Sequence, residues 1–227
     1  MKRTQTGFTL VEIAIVLVII GLLLGGILKG QEMITQAKIK NVVADFSGIS
    51  AAYYGYQDRY RAIPGDDLNA GTRWTTVPAA IAGDGNGVVA GTYNTACPSV
   101  AVAATPESCL WWDDLRRAGF VAGNGASQPF NAVTGMLGVQ TGDGAATPST
   151  ALGTAVGVGG FSGLIICSAN LPDKIAIAVD TQMDDGTLVN GTVRGQLQTA
   201  PNPAIIAVAT GAYAELGTNV YTLCRSM

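Results

Sequence analysis

The sequence predicts an α+β fold: a long N-terminal α-helix, membrane-spanning in its first half, packed on a C-terminal head built around an antiparallel β-sheet. Three observations carry this. Residues 8–28 form an unbroken apolar run, residues 29–61 continue with apolar side chains on one helical face only, and short β-type runs alternate with turn residues beyond residue 128. The boundaries that follow are a leader over 1–7, a helix over 8–61 (8–28 apolar, 29–61 amphipathic) and a head over 62–227. The head divides into a loop-rich part, 62–128, and a sheet-forming part, 129–227.

From Phe8 to Leu28 the one ionisable side chain is Glu12. About 20 helical residues cover a hydrocarbon core of ~30 Å, so the run is long enough to span a membrane. A carboxylate at its fifth residue is costly in lipid and needs a reason. Gly21, Gly25 and Gly26 interrupt the run, the first two in G-x-x-x-G spacing. Two readings are open for them. They could form a close-approach face for helix pairing, or they could let the helix stretch, since each weakens it by ~1 kcal/mol relative to alanine.

Past Lys29 the helix changes character. Ile39, Val42, Phe46, Ile49, Tyr53, Tyr56 and Tyr60 recur at intervals of three and four, while Lys38, Lys40, Asp45, Gln57, Asp58 and Arg59 occupy other faces. Such a stripe could form a coiled coil, but at under four heptads it is expected to pack on a sheet of the same chain. The first proline is Pro64, and Ile63-Pro64-Gly65-Asp66-Asp67 is a strong stop-and-turn.

In the head, Glu107 to Phe120 reads as a short helix capped by Gly119, with Trp111 and Trp112 as packing anchors. Strand-like runs follow at Met136–Val139, Gly163–Cys167, Lys174–Asp180, Ala204–Thr210 and Asn219–Cys224. Turn residues such as Asp184-Asp185-Gly186 and Asn190-Gly191 separate them, and an antiparallel meander is expected. The four cysteines, Cys97, Cys109, Cys167 and Cys224, contain no C-x-x-C pair. Two disulfides with three connectivities are open to them. The preferred pairs are Cys97–Cys109, closing a local loop, and Cys167–Cys224, pinning the C-terminus to an inner strand; free buried thiols are the alternative.

Composition narrows the function. The chain has 227 residues, 13 Lys+Arg, 16 Asp+Glu, no histidine and a net charge of −3, which argues against a nucleic-acid-binding footprint. Charged residues make up 13% against 30 glycines, a balance that suits a subunit buried among copies of itself. With no histidine, no G-x-S-x-G and no phosphate-binding loop, no catalytic residue is assigned and no enzyme is expected. Two acidic groups, Asp84 with Asn86 and Asp180 with Asp184 and Asp185, have two readings: calcium ligands, or side chains closing Asx-turns. No other cofactor is expected.

The leader decides between these classes. A secretory signal places its cleavage site after the apolar run; here the small residue, Gly7, precedes it, and Lys2 and Arg3 supply a positive flank. Gly7-Phe8-Thr9-Leu10-Val11-Glu12 before a hydrophobic helix resembles the processing site of type IV prepilins and type II secretion pseudopilins, a likeness that covers roughly residues 1–61. The resemblance implies a prepilin peptidase that cuts between Gly7 and Phe8 and methylates the new Phe8 amine. It also implies that Glu12 pairs with the Phe8 amine of a neighbouring subunit and sets the register of assembly. It further implies an inner-membrane protein, head outside the cytoplasm, that passes through an assembly platform into a pilus-like filament of like or related subunits. Many pilins carry a helix-bending proline where this chain has Ile27-Leu28-Lys29-Gly30, so glycine must supply any flexibility there. A type II secretion pseudopilin is the alternative, and a membrane-anchored periplasmic binding protein the second alternative.

Overall fold

The computed structural model describes residues 7, 9–147, 149–155 and 159–227. They form two compact units, one up to Lys38 and one from Ile39 onward. Helix α1 spans Leu10–Tyr60; the expected start at Phe8 lies outside the described residues. Arg61 adopts a left-handed φ of 56°, and with Pro64 close behind it the helix stops where the stop-and-turn signal placed its end.

In the first unit the apolar side chains are solvent-exposed: Leu10 is 90% exposed and Leu22 74%. In the second unit one face of α1 is buried. Ile39, Val42, Phe46, Ile49, Tyr53 and Tyr56 join a core with Trp111, Trp112 and Leu115 of helix α3 (Glu107–Arg117) and with residues from all four strands. Helix α2 (Ala70–Arg73) is one turn. Helix α3 ends in a Schellman motif: Phe120 N–H donates to Leu115 O at 2.9 Å and Gly119 N–H to Arg116 O at 3.1 Å. Gly119 supplies the required positive φ of 81°.

The sheet comprises β1 (Leu137–Thr141), β2 (Leu164–Pro172), β3 (Val193–Leu197) and β4 (Val220–Ser226), all antiparallel, in the order β1-β2-β4-β3. It is not a simple meander, because the last strand enters the middle. Two expected strands are corrected. Lys174–Asp180 lies in helix α4 (Asp173–Met183), where Ile175, Ala176, Val179 and Asp180 share a buried helical face. Ala204–Thr210 forms no strand of the sheet; it pairs with residues 152–153 through Leu152 N–H to Ile206 O (3.0 Å), Gly153 N–H to Ala207 O (2.9 Å) and an isolated bridge between Gly153 and Val208. Strand β3 is an addition, unannounced by any β-branched run.

Both faces of the sheet are covered. Ile166, Leu171, Tyr221 and Leu223 face the α1 core, while Ile165, Cys167, Ala169 and Cys224 face a second cluster with Tyr93, Leu152 and Phe161. Cys167 and Cys224 are direct cross-strand partners and are disulfide-bonded, and Cys97 is bonded to Cys109.

Both edges are closed by a buried glutamine. On β1, Gln140 Oε1 accepts from Tyr93 N–H (3.0 Å) and its Nε2 donates to Gly142 O (2.6 Å). On β3, Gln196 Oε1 accepts from Ile206 N–H (2.8 Å) and its Nε2 donates to Ala204 O (2.8 Å). Each amide ties loop backbone to its edge strand, so Tyr93 is held beside β1 and residues 204–206 beside β3. Gln140→Met or Gln196→Met strands a buried donor and acceptor and should each destabilise the head by about 1–3 kcal/mol. Urea unfolding of the full chain in detergent micelles measures this, with Leu216→Ala, at a side chain 70% exposed, as a control that changes little.

Candidate functional site

The segment that the sequence marks for processing and assembly is open. Gly7 is exposed, with nothing within 4 Å of where a side chain would begin. Phe8 lies outside the described residues. Thr9 is the N-cap of α1: its carbonyl accepts the first intrahelical bond, from Ile13 N–H at 3.3 Å. Glu12, three residues on, is bonded reciprocally to it. Thr9 N–H and Thr9 Oγ–H both donate to Glu12 Oε2, each at 2.8 Å, and Glu12 N–H donates to Thr9 Oγ at 3.3 Å. This is a capping box. Thr9 was missed as a functional candidate although Thr-x-x-Glu before an apolar run is legible in sequence.

Gly21, Gly25 and Gly26 lie inside the uninterrupted helix, and a methyl group at any of them would meet nothing within 4 Å. No contact among the described residues therefore requires glycine at those three positions. Lys29 pairs with Glu32 at 2.7 Å just past the apolar run.

In the head the acidic residues form two groups, each with carboxylate oxygens within 4.8 Å of one another: Asp66, Asp84 and Glu107, and Asp180, Asp184 and Asp185. Asp66 and Glu107 were not anticipated, since they join Asp84 only through the fold. In the first group every carboxylate oxygen already accepts a donor. Asp66 takes Asn86 and Gly87 N–H (3.1 and 2.8 Å), and Glu107 takes Asp84 and Ala90 N–H (3.1 and 2.9 Å). Asp84 takes the backbone N–H and side-chain amide of Asn86 (3.0 and 2.8 Å). Donors converging on carboxylates make a loop anchored on anions. Burial nevertheless pushes the Asp66 and Glu107 carboxyls above their ordinary values.

In the second group Asp185 closes an Asx-turn onto Thr187 N–H (2.8 Å), and Asp184 Oδ2 takes Thr192 and Val193 N–H. Asp180 is fully buried; its Oδ2 accepts from Tyr213 Oη (2.7 Å) and its Oδ1 has no partner among the described residues. Burial pushes its carboxyl up to about 6, the charges of Asp185 and Asp184 adding to the rise. Calcium takes six to eight oxygens, and these three carboxylates could supply only part of such a set.

The turn after α1 is held by a further pair of acids. Asp67 Oδ2 accepts from Arg73 (2.6 Å) and Tyr56 Oη (2.8 Å), and burial, which would raise its pKa, is outweighed by these donors. Asp114, 1% exposed, accepts Gly65 N–H at 2.7 Å through Oδ2, while its Oδ1 is unpartnered. Burial, reinforced by Asp67 and Asp113 and opposed by Arg117, pushes Asp114 up to about 8. Trp111 and Trp112 are fully buried edge-to-face, 4.9 Å between ring centroids, so neither offers a stacking surface to a ligand.

Residues 2–28 match the family model of the prokaryotic N-terminal methylation motif, the prepilin-type signature of type IV pilins and pseudopilins. No curated protein and no solved structure matches the chain. The match stops at residue 28, so it speaks for the segment and not for the head. With the long apolar helix and the four-stranded antiparallel sheet behind that segment, the chain is prepilin-like and its fold is α+β and pilin-like.

Asp114 sets a pH dependence. Its folded pKa is raised, so the stability it contributes is full below about pH 4, its unfolded value, and is lost as pH rises towards about 8. Asp114→Asn keeps an oxygen for Gly65 N–H and cannot ionise. The variant should lose that part of the pH dependence and overtake the parent in stability near pH 9, measured by denaturant midpoints across pH 5–9.

Proposed function

We propose that this chain is a structural subunit of a type IV pilus-like filament, a pilin or minor pilin, processed at Gly7–Phe8 and assembled through its N-terminal helix. The observation that carries this is a single carboxylate, Glu12, at the start of an apolar helix face that is solvent-exposed among the described residues. Such a surface is stable only in lipid or among like helices. On this reading a membrane-embedded prepilin peptidase cuts after Gly7 and methylates the Phe8 amine. The released cation and Glu12 are each costly alone in a low-dielectric medium, and pairing between neighbouring subunits relieves both. Gly21, Gly25 and Gly26, where an added methyl group meets nothing among the described residues, are then available either to helix–helix approach in the filament or to local stretching when the subunit leaves the bilayer.

The head supports a structural role. Its buried carboxylates anchor backbone N–H groups, and its tryptophans are internal. The absence of proline at Ile27-Leu28-Lys29-Gly30 favours a minor or specialised subunit. Processing and assembly are separable in this scheme. Gly7→Leu should leave the leader uncut, seen as retained mass of residues 1–7. Glu12→Ala should be cut and should fold with both disulfides, yet enter sheared filaments several-fold less than the parent. Equal incorporation of Glu12→Ala would sink the charge-pairing mechanism.

A further inference from the structure

Glu12 is already engaged before any neighbour arrives. Both donors of Thr9 converge on Oε2, and the return bond from Glu12 N–H to Thr9 Oγ closes the ring. Three consequences follow from that geometry. First, the carboxylate is folded back over the first turn towards the N-terminus instead of extending into lipid. Second, it rests on the amide of Thr9, the residue that follows Phe8 in sequence. Third, among the described residues no donor reaches Oε1, so one oxygen is spoken for and the other is free. A carboxylate has lone pairs enough for both sets of partners.

We propose that Thr9 is a positioning residue for assembly: it holds Glu12 by Oε2 so that Oε1 faces the Phe8 amine of an incoming second copy of this chain. This rests on the filament reading above and adds the group that aims the charge. The capping box serves the membrane stage by supplying donors to a carboxylate that would otherwise lack them, and it need not break on assembly. The incoming ammonium adds one contact to an acceptor whose orientation is already fixed, so little side-chain freedom is lost at that step.

The test has two arms on the full chain. In detergent micelles, amide exchange at position 9 should be slow in the parent and faster by about five-fold in Glu12→Ala, the factor one helix cap is worth. Exchange that is fast in both would overturn the box itself, whatever the chain assembles into. In cells, Thr9→Val should be cleaved, by intact mass, but enter filaments about five-fold less than the parent. Thr9→Ser, which keeps the hydroxyl, should restore incorporation. Parent-like incorporation of Thr9→Val, or failure of Thr9→Ser to rescue, overturns the positioning role. If Glu12→Ala also incorporates normally, the charge-pairing step fails with it.

Discussion

The head depends on burial of one stripe of α1. Val42, Phe46 and Tyr56 are wholly excluded from solvent, and they contact the tryptophan pair of α3 and the inner face of the sheet. The stripe reaches the sheet face that β1, β2, β3 and β4 share, and each buried aliphatic or aromatic side chain in it is worth ~1.5–3 kcal/mol. Its spacing of three and four explains why charged residues such as Lys38 and Asp58 can sit on the same helix without entering the core. The apolar surface N-terminal to it is exposed among the described residues. One helix thus carries two kinds of apolar surface, one satisfied within the chain and one left for lipid or for other helices.

Where regular structure is sparse, the head satisfies its backbone with side chains instead. Between α1 and β1 only two short helices form, and buried loops need acceptors for their N–H groups. Carboxylates provide them: Asp66, Asp67, Glu107 and Asp114 take amides from Gly65, Asn69, Asp84, Asn86, Gly87 and Ala90. An ionised oxygen accepts more strongly than a neutral one, but crowding several in one place is unfavourable. That conflict is visible in Asp114, which burial and nearby acids keep protonated, and is relieved at Asp67 by Arg73. At the sheet edges, where the amides to be paired are fewer, neutral Gln140 and Gln196 suffice.

The sequence was most legible where a pattern has one physical meaning. The apolar run, the stripe from Ile39 and the stop at Pro64 led to α1, and Gly119 to the end of α3. Lys174–Asp180 misled because Ile175, Ile177 and Val179 alternate as a strand does. Only the burial of Ala176 beside Ile175, four residues before Asp180, shows the helical period. Pro172-Asp173 just before was the available helix-start signal. Strand β3 was hidden for the opposite reason. Val193-Arg194-Gly195-Gln196-Leu197 looks like loop, yet Gly195 is forced by closeness: a Cβ there would come within 2.6 Å of Leu223 and 2.7 Å of Thr222 O. Asp66 and Glu107 could not have been joined to Asp84, since that proximity exists only once the loop is folded.

The same economy links the Thr9–Glu12 box to the interior of the head. In each place a polar group is held in apolar surroundings by the nearest donor or acceptor the chain can supply: Thr9 for Glu12, Tyr213 for Asp180, Gln140 and Gln196 for loop amides. The difference lies in what is left over. The unpartnered oxygen of Asp180 is walled in, and burial raises its pKa so that it can be neutralised by a proton. The second oxygen of Glu12, which no donor among the described residues reaches, sits on an exposed helix end, its carboxylate held on Thr9, the residue that follows Phe8. An unmet acceptor in a core is a local cost; on the filament reading proposed above, the same feature at a helix end would specify which part of a second copy belongs there.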